Sequence, residues 1–96
     1  MTEQVDEITR LESQVGNKTD ARLAALTEVR AHRVAYRPRS AEWSMSGEPV
    51  GSWEFRTLSG LRLAGALMVG EPDKDTGVST VELTEAGEGL LLRWLD

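Results

Sequence analysis

Seven arginines, Arg22, Arg30, Arg33, Arg37, Arg39, Arg56 and Arg62, fall in the middle of a 96-residue chain whose net charge is −5. A guanidinium is a rigid fork of donors that matches a phosphate or a carboxylate. The charge is unevenly spread. Residues 1–21 carry Glu3, Asp6, Glu7, Glu12 and Asp20 against Arg10 and Lys18, a balance of −3. Residues 22–62 set the seven arginines against Glu28, Glu42, Glu48 and Glu54, a balance of +3. Residues 63–96 set seven acids against Lys74 and Arg93, a balance of −5. A basic middle inside an acidic chain marks a candidate phosphate-facing surface. The plainer reading is an ordinary mixed surface.

The remaining chemistry is sparse. His32 is the only histidine, so no second imidazole completes a metal site or a nucleophile–base pair. Ser44, Ser46 and Ser52 lack the glycine setting of a nucleophile elbow. Asp73 and Asp75 lie in a polar turn without the glycine and distal glutamate of a calcium loop. Cysteine is absent, which excludes disulfides and thiolate-bound metal. We therefore expect no enzymatic activity, no cofactor and no metal. No apolar run approaches the ~20 residues of a membrane span, and the first residues, Met1-Thr-Glu-Gln-Val-Asp6, have no signal-peptide pattern. The expectation is a cytoplasmic protein without membrane contact.

The elements that must position these residues follow from periodicity. Val5, Ile8, Leu11 and Val15 repeat at helical spacing, with Thr2 as a cap and Gly16-Asn17 as a stop. That acidic helix, residues 1–16, is expected to be an appendage. It either packs on the domain or pairs with a second copy. Residues 17–96 form the main domain. Thr19 or Asp20 caps a helix predicted over residues 20–36, with Leu23, Leu26, Ala31 and Val34 in the core and Arg30, Arg33 and Arg37 along one flank. Pro38 closes it. Residues 39–49 read as a short hairpin, in which Trp43 and Met45 alternate with Ser44 and Ser46.

A third helix is predicted over 52–64, capped by Ser52 and stopped by a left-handed Gly65. Phe55, Leu58 and Leu61 form its buried face. Trp53, Arg56, Thr57, Gly60 and Leu63 fall toward the other side. Gly60 costs this helix ~1 kcal/mol relative to alanine, so it serves either packing or the close approach of a partner. Two strands, near 66–70 and 78–83, place Leu67, Val69, Val81 and Leu83 inward around an acidic tip. Thr84 caps a last helix held by Leu90, Leu91, Trp94 and Leu95. Three tryptophans in so short a chain suggest a few large anchors in a small core.

The order from Trp53 to Trp94 is helix, strand, turn, strand, helix, and it ends on Leu83-Thr84-Glu85-Ala86-Gly87. This resembles the second half of a winged-helix domain, and in particular the same five-residue run after the wing of MarR-like and PadR-like regulators. The resemblance implies an α+β winged helix-turn-helix fold with a C-terminal hairpin wing. It implies a small regulator of phage or mobile-element type that binds double-stranded DNA as a dimer. On that pattern Arg56, Thr57, Ser59 and Arg62 would face base edges, and Arg30, Arg33, Arg37 and Arg39 would face phosphates, with Lys74 at the wing.

Two departures stand beside it. A winged helix has a helix where this chain has the Arg39–Pro49 hairpin. The wing of such regulators carries an arginine, whereas this tip reads Asp73-Lys74-Asp75-Thr76-Gly77. The second reading is accordingly a protein-interaction module on the same scaffold, without DNA binding. The third is an assembly role in a homo-oligomer.

Overall fold

The computed structural model of the chain describes residues 7–96. The expected Thr2 cap and Val5 contact lie outside them. The elements are α1 (Glu7–Val15), α2 (Asp20–Arg30), β1 (Val34–Arg37), β2 (Glu42–Met45), β3 (Glu48–Pro49), α3 (Ser52–Ala64), β4 (Leu67–Val69), β5 (Ser79–Leu83) and α4 (Glu85–Leu95). The fold is α+β: four helices and a five-stranded antiparallel sheet of order β3-β2-β1-β5-β4.

The sheet has one buried and one open face, as strand alternation allows for antiparallel pairing. Val34 and Tyr36 on β1, Trp43 and Met45 on β2, Ser79, Val81 and Leu83 on β5, and Leu67 and Val69 on β4 share the inner face. The registers Val34↔Met45, Tyr36↔Trp43, Tyr36↔Ser79, Val69↔Val81 and Leu67↔Leu83 align them. All nine are buried or half-buried. Leu26 and Val29 of α2, Leu58 and Leu61 of α3, and Leu90, Leu91 and Trp94 of α4 complete the core.

The helix expected over residues 20–36 is shorter. It ends at Arg30, and residues 34–37 are a strand. His32 takes a left-handed conformation (φ 60°) that ends the helix before Pro38 can. Val34-Ala35-Tyr36 then pairs on both sides, with β2 and with β5. Ladder bonds to residues more than forty positions away outweigh the local helix preference of the alanine-rich segment. Ala31, expected in the core, is exposed. Arg30, Arg33 and Arg37 share no helix flank, because they sit on a helix end, a loop and a strand.

Three smaller corrections concern helix faces. Ser52 is the first residue of α3 and not its cap; Gly51 holds that position without a side-chain bond. Phe55 is 44% exposed and Leu95 56% exposed, so neither belongs to the core. Trp43 and Trp94 are the core anchors, and Trp53 is on the surface, on the side of α3 where its period set it.

α1 docks on α4. Leu11 is buried, and Trp94 Nε1–H donates to Glu12 Oε2 at 2.6 Å. Arg93 reaches Thr9 Oγ1 at 3.0 Å and Glu12 Oε1 at 3.4 Å. The apolar stripe of α1 is therefore used within the chain.

The Leu83–Gly87 run acts as a clasp. Thr84 caps α4 by accepting from Gly87 N–H at 3.0 Å, while its hydroxyl donates to Gly65 O at 2.6 Å and its N–H donates to Ala66 O at 3.0 Å. Gly65, left-handed at φ 95°, closes α3 as expected. A Cβ built at Gly87 would run into the Ala66 carbonyl. This backbone contact explains a glycine inside a helix. Gly87→Ala is expected to destabilise the domain by about 1–3 kcal/mol despite the better helix propensity of alanine. Urea denaturation measures it, and a stabilised variant would refute the close packing.

Candidate functional site

The residues expected to meet a ligand do not form one surface. They divide among three places and two ion pairs. Arg37, Arg39 and Lys74 surround an open depression of about 510 Å³ between the β1–β2 connection and the β4–β5 tip. Asp73 and Asp75 line the same depression, so its charge is mixed. Asp73 also builds the tip. Its Oδ1 accepts from Asp75 N–H at 2.8 Å and from Thr76 N–H at 3.1 Å. Those backbone bonds, Thr76 first and Asp75 second, hold its carboxyl below the usual aspartate range.

Ser59 and Arg62 point toward the β1–β2 ribbon. Trp43 Nε1–H donates to Ser59 Oγ at 3.2 Å. The Arg62 guanidinium lies over the Tyr36 ring, 4.8 Å from its centroid, and the Tyr36 and Trp43 rings are 4.6 Å apart. The series Arg62–Tyr36–Trp43–Ser59 ties α3 to the sheet through a cation–π contact, a ring contact and a hydrogen bond. Thr57 is also engaged, since its hydroxyl donates to Trp53 O at 2.9 Å within the helix. Of the four α3 residues expected at base edges, only Arg56 is neither bonded nor stacked within the fold.

Arg56 and Thr57 line a groove of about 240 Å³ between the end of α1 and α3, with Gln14, Val15, Arg22, Trp53, Gly60 and Leu61. The Arg22 guanidinium is committed to Asn17 O at 2.6 Å. Elsewhere Arg33 pairs with Glu28 at 3.3 Å and Arg30 with Glu88 at 3.4 Å. Exposed pairs of this kind contribute about 0–1 kcal/mol, yet they lower the positive potential available to a phosphate.

The open side of α3 carries two large apolar groups. Trp53 is 75% exposed and Leu63 88% exposed. Gly60 lies between them on the same side, and a Cβ built there meets nothing within 4 Å. Among the described residues no packing requires that glycine. The helical period already set Trp53, Gly60 and Leu63 opposite the core in the sequence. What periodicity could not show is that their neighbours Ser59 and Arg62 turn toward the sheet.

Comparison with protein-family models, with curated proteins and with solved structures found no match. Among the described residues, no helix is long and apolar enough to cross a membrane.

Proposed function

We propose that this chain is a protein-interaction domain on a winged-helix-type scaffold, docking its partner through the open face of α3 and acting by binding rather than catalysis. The scaffold part rests on connectivity. β1, β5 and β4 are neighbours in that order, α3 enters β4, and the tip between β4 and β5 stands where a wing would. The β2–β3 ribbon occupies the place of the first helix of a helix-turn-helix.

The observation that carries the docking reading is the division of α3. Ser59 and Arg62 turn toward Trp43 and Tyr36 of the sheet and the Thr57 hydroxyl bonds within the helix, while Trp53 and Leu63 face solvent. A helix that reads bases needs free donors and acceptors at its outer face. One that docks on protein needs an aromatic or aliphatic anchor, and large exposed apolar groups mark such faces. The net charge of −5 points the same way, because an acidic chain is repelled by phosphate backbones.

The convergence of Arg37, Arg39 and Lys74 favours the DNA reading, and one experiment separates the two. In a mobility shift on mixed genomic fragments at ~50 mM salt, where electrostatic binding is strongest, micromolar protein is expected to leave DNA unretained. Proteins captured from lysate should be lost with Leu63→Glu and kept with Arg37→Ala. Retention of DNA that weakens with Arg37→Ala and ignores Leu63→Glu would overturn the docking reading in favour of DNA.

A further inference from the structure

The open face of α3 has an internal symmetry that names its partner. Trp53, Arg56, Gly60 and Leu63 follow one another at spacings of three, four and three, so they lie in one stripe along the helix. All four are exposed. The stripe is palindromic about Leu58: Trp53 and Leu63 stand five residues either side of it, and Arg56 and Gly60 two either side. Its ends are large and apolar. Its middle pairs one long side chain with one absent side chain.

We propose that the partner of this face is a second copy of the chain, joined through antiparallel α3 helices about a two-fold axis that passes between them level with Leu58. The proposal rests on the docking reading and specifies its occupant. A two-fold interface must be self-complementary. In this register Trp53 packs on Leu63 of the second copy. Arg56 crosses Gly60 of the second copy, where a missing side chain gives its aliphatic stem a seat and lets the guanidinium reach water. Each contact occurs twice. The exposed mid-helix glycine, which no packing among the described residues requires, then has a role, because the backbones can approach closely at that point.

Area and charge set the strength. Trp53 and Leu63 together present on the order of a few hundred Å² per copy. Pairing two copies therefore falls at the small, reversible end of specific interfaces, below ~1,200 Å² in total. A micromolar, concentration-dependent dimer is expected. Each copy carries a charge of −5 and each stripe a like-charged Arg56, so association is opposed by repulsion that salt screens. Dimerisation should tighten from ~50 mM to ~500 mM NaCl, opposite to the salt dependence of phosphate binding.

Sedimentation equilibrium of the full chain tests the register through two charge variants. Trp53→Lys and Leu63→Glu should each weaken self-association about 30-fold or more, since each removes an anchor from both halves of the interface. An equimolar mixture should recover most of the wild-type affinity. In the mixed dimer one half keeps Trp53 on Leu63, and the other sets the new lysine against the new glutamate. Gly60→Gln should weaken self-association about tenfold while raising the urea midpoint, because an exposed helix glycine is replaced by a helix former. A rise in midpoint with loss of dimer excludes misfolding as the cause.

A wild type that stays monomeric to ~500 μM overturns the proposal, and so does a dimer that ignores all three variants. Two inactive variants whose mixture does not recover overturn the antiparallel register. If the wild type is monomeric while lysate capture still depends on Leu63, self-pairing falls and the docking reading stands.

Discussion

Trp43→Ala is expected to cost the domain about 3–5 kcal/mol, the range for truncating a buried aromatic. Trp43 is 3% exposed and lies on β2, facing α3 across the inner side of the sheet. Its removal has three consequences at once. The cavity loses the contacts of a large ring. Ser59 Oγ loses the indole N–H donor at 3.2 Å. The Tyr36 ring loses its neighbour at 4.6 Å, and with it the platform beneath Arg62 is loosened.

For a chain of this length the whole folding free energy is on the order of 5–14 kcal/mol, so the variant should be partly unfolded at modest urea. Trp43→Phe separates the contributions. It keeps most of the ring volume and loses the hydrogen bond, so about 1 kcal/mol is expected. Equal costs for the two variants would mean that the hydrogen bond, and not the ring, holds the β2–β3 ribbon against α3.

The second large effect is on α3 itself. Leu61→Ala should destabilise by about 2–5 kcal/mol, combining lost transfer free energy with the cavity left behind. Leu61 is 1% exposed at the centre of the core, while Leu63, two positions along the same helix, is 88% exposed. Leu63→Ala therefore changes the same atoms in the same helix and should cost less than about 0.5 kcal/mol in the monomer. Urea denaturation at dilute protein compares the pair. The m-value should stay constant, which assigns a shift in midpoint to stability and not to a changed unfolded state. A Leu61→Ala cost below about 0.5 kcal/mol would mean that the buried face of α3 is misassigned.

Much of the fold was legible because it is local. Thr19 caps α2, with Arg22 N–H on its hydroxyl at 3.1 Å. Gly65 stops α3 in the left-handed region, and Thr84 caps α4. Each involves residues within about one helical turn, and side-chain type alone governs that range. The change from helical to alternating period across Gly65 likewise located β4 and β5, because burial on one face imposes the period directly. The clasp at Thr84 and Gly87 was half legible. The glycine could be seen to weaken the helix, but the Ala66 carbonyl it accommodates lies some twenty residues away in sequence.

What the tertiary structure decided is where distant residues compete for the same segment or the same atom. Residues 34–37 carry a pattern that suits a helix or a strand, and pairing with β5 selected the strand. Phe55 fits the apolar period of α3, yet it lies at the edge of the core, 44% exposed. Thr57, Ser59 and Arg62 have the right types for reading bases. Only the positions of Trp43 and Tyr36, fixed by the sheet, show that Ser59 and Arg62 are engaged inward. The sequence by itself therefore determined an α+β domain, the caps at Thr19, Gly65 and Thr84, its wing-like hairpin, and Trp53, Arg56, Thr57, Gly60 and Leu63 on the side of α3 away from the core. The tertiary structure decided that Trp53 and Leu63 stay exposed while Ser59 and Arg62 turn to the sheet, because hydrogen bonds and ring contacts between separate elements have no signature in local spacing.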